Sequence, residues 1–287
     1  MNYRHAFHAG NFADVFKHAF LALILTHLTR KDAALRYLDT HAGVGLYDLT
    51  GEEATRSGEA ADGIARLDAD PPQGEAERLL APYLETVAAA RAAHGPTIYP
   101  GSPWIAARLT RPQDRLTLCE LNPQERETLT RAMRRDARVG VVGVDGYVAL
   151  GAYVPPKERR GLVLVDPPFE SRDEFSRMAA ALVRAHRKWP TGVYALWHPV
   201  KHVAEARGLA DAIAAAGVRR VLRLELVVGA AGPPPRGGGP PLIGAGLVLV
   251  NPPFGLEAQA RALLPFLAAR LGRDGAPSWR VDVVAGE

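Results

Sequence analysis

A chain of 287 residues, 47% hydrophobic and 23% charged, carries enough apolar side chain for a full core, which excludes a disordered polypeptide and a small scaffold in need of staples. One cysteine, Cys119, excludes an internal disulfide framework and a cysteine-based zinc cluster. A formal charge of +4 is compatible with a polyanionic partner but does not specify one.

The N-terminus, MNYRHAFHAGNFADVFKH, has no signal-peptide pattern, and no apolar run reaches about 18 residues, so a cytoplasmic protein without a membrane span is expected. Residues Asp14 to Arg30 predict an amphipathic helix with Val15, Ala19, Ala22 and Leu23 in its core stripe and Asp14 as its cap. LRYLD, Leu35 to Asp39, reads as a short strand ending in a Gly-containing turn, THAGVG. Residues 51 to 100 are rich in Ala, Glu and Arg, with helical periodicity from Glu75 to Arg91 and no convincing strand. They read as a helical insertion. Strands and helices then alternate: RLTLCE, a basic helix from Pro123 to Arg135, VGVVGVD, GLVLVDPPF, a helix from Asp173 to Lys188, GVYALW, and a helix from Val203 to Ala216. Val221 to Val228 and Gly246 to Asn251 form a last, antiparallel pair around a Gly/Pro-rich loop, Gly229 to Pro241. Alternation with nearly continuous apolar strands implies a mostly parallel sheet covered on both faces, an α/β fold.

In such sheets ligands bind beyond the carboxyl ends of the strands. Four of the strand ends carry an acid: Asp39, Glu120, Asp145 and Asp166. Gly43 and Gly45 of the first turn let backbone approach a ligand, although a plain tight turn accounts for them as well. A dinucleotide fingerprint needs a third Gly where Asp48 stands, so a ligand without phosphate, such as S-adenosylmethionine, suits the turn better than a nicotinamide cofactor. Glu120 is placed to accept ribose hydroxyls. Asp145 with Gly146 is placed to accept a cofactor adenine amine, or equally to cap the next helix.

Asp166-Pro167-Pro168-Phe169 is the decisive element. Two prolines remove two backbone donors, leaving the Pro167 carbonyl as an acceptor beside the Asp166 carboxylate. An amine conjugated into a purine is a poor nucleophile. Two acceptors on its N–H groups orient it for attack on a methyl sulfonium, with Phe169 stacking on a flipped base. A second copy, Asn251-Pro252-Pro253-Phe254, closes the last strand on the far side of the sheet and reads as structural.

YRHAFHAGNFADVFKH, YLDTHAGVGLYDL, YPGSPWIAARL, DPPFE, YALWHPV and VNPPF together resemble the bacterial ribosomal RNA large subunit methyltransferase J family nearly end to end. The resemblance implies a Rossmann-like S-adenosylmethionine-dependent methyltransferase fold with a seven-stranded, mostly parallel sheet and an inserted helical subdomain. Residues 1–50 and 101–287 would form the methyltransferase domain, with a substrate-contacting tail at 1–13, and 51–100 the insertion. It implies N6-methylation of an adenine in protein-free or early-assembly 23S ribosomal RNA, with no obligate protein partner. Its cofactor contacts would be His18, His41, Ser102, Glu120, Asp145, Gly146 and Asp166, with Lys17 adjacent. Asp166 would be the catalytic residue and Tyr3 a substrate contact. DNA methylation and a non-catalytic RNA-binding role are the alternatives. His5 and His8 invite a metal reading, but no third ligand follows at convincing spacing, and no metal is expected. Arg131, Arg134, Arg135, Arg184, Arg187, Lys188 and, in the Gly/Pro loop, Arg236 are candidate phosphate contacts.

Overall fold

The computed structural model describes residues 4–229, 241–273 and 277–286. Tyr3 and Arg236 lie outside them. After a 3-10 turn at His5–Phe7, helix α1 runs Phe12–Leu28. Asn11 caps it by accepting the Asp14 N–H at 2.9 Å, so Asp14 is not the expected cap and its carboxylate is free to turn inward. All residues from Phe12 to Leu25 are buried. A helix covered on every side has no solvent face on which to place Asp14, Lys17 and His18.

Strand β1 (Arg36–Asp39) leads into β2 (Leu46–Asp48), then helices α2 (Glu52–Ser57), α3 (Ile64–Ala69) and α4 (Gly74–His94). A short strand β3, Ile98–Pro100, follows in the stretch where none was expected and pairs antiparallel with β2. Ile64, Leu67, Leu79, Leu80, Tyr83 and Val87 of this segment join the same core cluster as α1. The chain continues through α5 (Ser102–Leu109), β4 (Arg115–Cys119), α6 (Pro123–Met133), β5 (Val139–Val142), α7 (Gly146–Ala152), β6 (Gly161–Val165), α8 (Glu174–Lys188), β7 (Val193–Val200), α9 (Val203–Ala215), β8 (Val221–Val227), β9 (Gly244–Val250), α10 (Leu256–Leu271) and β10 (Ser278–Ala285).

The main sheet has the order β10-β8-β9-β7-β6-β1-β4-β5. Strands β7, β6, β1, β4 and β5 are parallel, and β9, β8 and β10 continue it antiparallel. The eighth strand beyond the seven expected is β10, on the edge beside β8, where Ser-Trp-Arg-Val-Asp-Val-Val-Ala mixes polar and apolar residues and lacks the continuous run of a central strand. Strand β6 is buried along its whole length, with Leu162 and Leu164 in the cluster under α1 and Val163 and Val165 in the cluster under α8 and α9. Two-sided burial is the reason its sequence is uniformly apolar. Among the described residues no helix is long and apolar enough to cross a membrane. Asn251-Pro252-Pro253-Phe254 follows β9, whose end pairs with Tyr194 near the start of β7, so it stands on the opposite edge from Asp166.

Candidate active site

Because β6, β1, β4 and β5 are adjacent, the acids that end them meet along one edge. There Glu120, Asp145 and Asp166 border a cleft of about 730 Å³, counting its open mouth, within the size range of cofactor sites; Asp39 is fully buried and does not line it. Lys17, His18, His41, Gly43, Ser102, Glu120, Asp145, Gly146 and Asp166 all line it. Pro167 and Phe169 do not, nor do Arg131, Arg134, Arg135, Arg184, Arg187 and Lys188.

The Glu120 carboxylate accepts the Gly43 N–H at 2.9 Å and the Asn122 N–H at 2.8 Å, so backbone fixes both of its oxygens. Gly43 makes the turn possible: its φ of 62° is left-handed, and a Cβ there would stand 2.3 Å from the Tyr47 hydroxyl. Burial raises the Glu120 carboxyl above the ordinary glutamate range. Asp145 caps α7, accepting from Tyr147 N at 3.0 Å and Val148 N at 3.1 Å. The helix-cap reading of Asp145 therefore holds, and its side chain still borders the cleft. Gly146 lies against the Thr40 carbonyl and the His41 ring. Ser102 donates to Asp39 at 2.7 Å, and Tyr37 donates to the same oxygen at 2.8 Å. Burial pushes the Asp39 carboxyl up to about 6 against the pull of these donors.

On the other side of the cleft, Lys17 bridges two carboxylates, Asp166 at 2.6 Å and Asp14 at 2.9 Å. Asp14 also accepts from Gly10 N and faces His5 Nε2, each at 3.0 Å. Burial alone would raise the Asp14 carboxyl; His5, Lys17 and His18 together hold it well below the usual aspartate range. Burial lowers His18 to about 3 and His41 to about 4, so both are neutral at pH 7. His18 Nδ1 lies 2.8 Å from the Tyr99 hydroxyl. The remaining histidine of the candidate metal pair, His8, faces Glu59 at 2.9 Å.

The Asp166 loop is bent sharply. Phe169 has a φ of 51°, a left-handed conformation that is strained for a bulky side chain. Its ring packs edge-on against Phe175 and Trp197, with centroids 5.0 and 6.0 Å apart. The Lys17 ammonium lies 5.8 Å from the Trp197 ring centre. The Pro167 carbonyl accepts no hydrogen bond among the described residues. Asp14, His5 and Trp197 are members of this constellation that reasoning from sequence did not assign to it.

The charge of the cleft is informative. Glu120, Glu125, Asp145 and Asp166 line it, and Lys17 is the only lysine or arginine among the lining residues, already neutralised by Asp14 and Asp166. Such a lining repels a pyrophosphate and attracts a cation. After the Gly43 turn the chain enters β2, so this turn does not lead into a helix N-terminus that could hold a phosphate.

Residues 32–285 match the family described as ribosomal RNA large subunit methyltransferase D, RlmJ. The chain is 38% identical to the ribosomal RNA large subunit methyltransferase J of Haemophilus influenzae over the full length of both proteins. It is likewise 38% identical to that of Escherichia coli over 94% of each. Among solved structures it is similar to protein LPL1258 of Legionella pneumophila, with a TM-score of 0.83 and 32% identity over 96% of this chain and 98% of that one.

Proposed function

Since the chain belongs to the RlmJ family of ribosomal RNA large subunit methyltransferases, we propose that it methylates the exocyclic N6 amine of one adenine in 23S ribosomal RNA, with S-adenosylmethionine as donor. The carrying observation is the position of the Asp166 loop. Asp166 and Pro168 border the acidic cleft, and Phe169 borders a second, separate cleft. This arrangement supports a donor held on one side of these four residues and an acceptor presented on the other.

The first cleft fits the cofactor on the chemistry of its side chains. S-adenosylmethionine carries a sulfonium and an ammonium and no phosphate, which suits a carboxylate-rich lining with no free cation. Glu120, an acceptor with both oxygens oriented, would hold the ribose hydroxyls. Asp145 would accept the cofactor amine, and His18, His41, Gly43, Ser102 and Gly146 would complete the walls. When bound, the cofactor supplies an electrophilic methyl group.

The chain's own residues then handle the nucleophile. Lys17 occupies Asp166 Oδ2, which fixes the carboxylate and leaves Oδ1 to accept an N–H of the target amine. The Pro167 carbonyl is the second acceptor. Both hold the nitrogen with its lone pair directed at the donor, and the carboxylate stabilises the positive charge that grows on nitrogen during attack. Phe169 stacks on the base after it has left its helix.

The test is methyl transfer from labelled cofactor into protein-free 23S ribosomal RNA, with the modified position mapped by mass. Wild-type protein should label one adenine at N6. Asp166→Ala should lose at least about 10³-fold in rate, as expected for removal of a principal charge-stabilising group, and still fold. Absence of labelling by wild type, or near-normal turnover by Asp166→Ala, overturns the assignment.

A further inference from the structure

Beyond Phe169, the loops after β6 and β7 enclose the second cleft, about 820 Å³ with its mouth included. Its wall is formed by Phe169, Phe175 and the buried Pro199. Its rim carries Arg172, Lys201 and His202, all exposed, and none of these side chains makes a hydrogen bond or ion pair among the described residues. Among the described residues Glu170 is the one acid bordering it. The charge is thus opposite to that of the cofactor cleft, and the two meet at the Asp166 loop.

We propose that this second cleft receives the nucleotide adjoining the target adenine, held as unpaired RNA, with Arg172 and Lys201 on its phosphates and Phe175 against its base. The proposal rests on the methyltransferase reading and extends it to the path of the strand. The strand cannot run along the first cleft, where Glu120, Glu125 and Asp145 would repel its phosphates. It must leave on the far side of Phe169, and there the unneutralised cations stand. Aromatic faces alternating with cations are what an unpaired strand requires, since each base offers a π-face and each link a charge. An A-form duplex presents a convex surface with both backbones outward and does not enter a concave site of this size.

The test is the Arg172→Ala/Lys201→Ala double variant. Both side chains are exposed, so the fold should persist, as a melting curve will verify. Two readouts are taken at several salt concentrations: binding of an unpaired RNA oligonucleotide against a blunt duplex of the same sequence, and steady-state methyl transfer into 23S ribosomal RNA. The expected result is a rise of roughly tenfold or more in KM for RNA, with cofactor affinity within twofold of wild type. The slope of log binding constant against log salt should fall by about 1.4, at roughly 0.7 per phosphate contact on a single strand. Weakening should be confined to the unpaired oligonucleotide. An unchanged KM and salt slope, or equal weakening toward the duplex, sinks the proposal. The wild-type arm separates the two claims. If wild type transfers no methyl group the catalytic reading fails, and the oligonucleotide titration still decides whether Arg172 and Lys201 hold a strand.

Discussion

Lys17 is buried where an ammonium is costly, and burial alone would favour its neutral form. The nearby Asp14 and Asp166 carboxylates more than offset this and raise it above the ordinary lysine range, so it remains charged. Removing the cation leaves two carboxylates facing each other at 2% and 14% side-chain exposure. Loss of one partner from a buried charge cluster costs about 3–5 kcal/mol, or on the order of 10 °C in a chain of this size. Lys17→Met should therefore melt well below wild type and lose methyl transfer. Asp166→Ala should melt closer to wild type, because Lys17 keeps Asp14 at 2.9 Å. Equal melting temperatures for Lys17→Met and wild type would remove the ammonium from this role. The spacing of residues 14, 17 and 18, at i, i+3 and i+4 within an otherwise apolar helix, was the available sign of a shared polar face. It was obscured because an acid near a helix start is ordinarily explained by the helix dipole.

At the scale of elements, β7, β9 and β8 form a device that pattern reading cannot reveal. Registration places Gly246 of β9 between His198 of β7 and Glu225 of β8. The imidazole occupies the space a side chain would need, and a Cβ on Gly246 would lie 2.2 Å from its ring. His198 packs at 5.8 Å between ring centres against Phe175, and its neighbour Trp197 packs against Phe169. Gly246→Ala should thus lower stability by about 1–3 kcal/mol, the cost of overpacking a filled core, and slow methyl transfer through the displaced aromatic wall. A variant that melts with wild type would show that the strands yield freely. The sequence announces a strand there, because Gly-Leu-Val-Leu-Val is apolar, but a glycine's neighbours follow from strand order, and strand order is non-local. The same distinction separates what was legible elsewhere. Acids ending apolar runs pointed to the sheet edge where the acidic cleft lies, since burial of β6 and β1 dictates those runs. Strands β2, β3 and β10 were missed because the first two span three residues each and the last is an edge whose polar residues dilute the pattern.

For the whole molecule, a net charge of +4 conceals an acidic lining in the cleft beside Asp166 and exposed cations around the cleft beyond Phe169. The burial that neutralises histidines also makes the fold acid-sensitive. His18, at about 3, and His41 and His198, each at about 4, all lowered by burial, bind a proton far less readily when folded than when unfolded, where the value is near 6.5. A depressed histidine contributes stability that is complete above 6.5 and is lost as pH falls toward the folded value. At pH 5 each has lost about 2 kcal/mol. Asp39 acts in the other direction. Its folded value of about 6 lies above the unfolded 3.8, so acidification through that window stabilises the fold by about 1–2 kcal/mol at pH 5. His8, raised by its pairing with Glu59, also favours acid, but as a half-exposed pair it contributes little. Asp14, already far below the window, does not titrate in it. The three histidines prevail by about 4–5 kcal/mol, and the melting temperature should fall on the order of 10 °C between pH 7.5 and pH 5. Thermal melts at constant ionic strength measure this directly, and an equal or higher melting temperature at pH 5 would mean that the buried imidazoles are not held neutral.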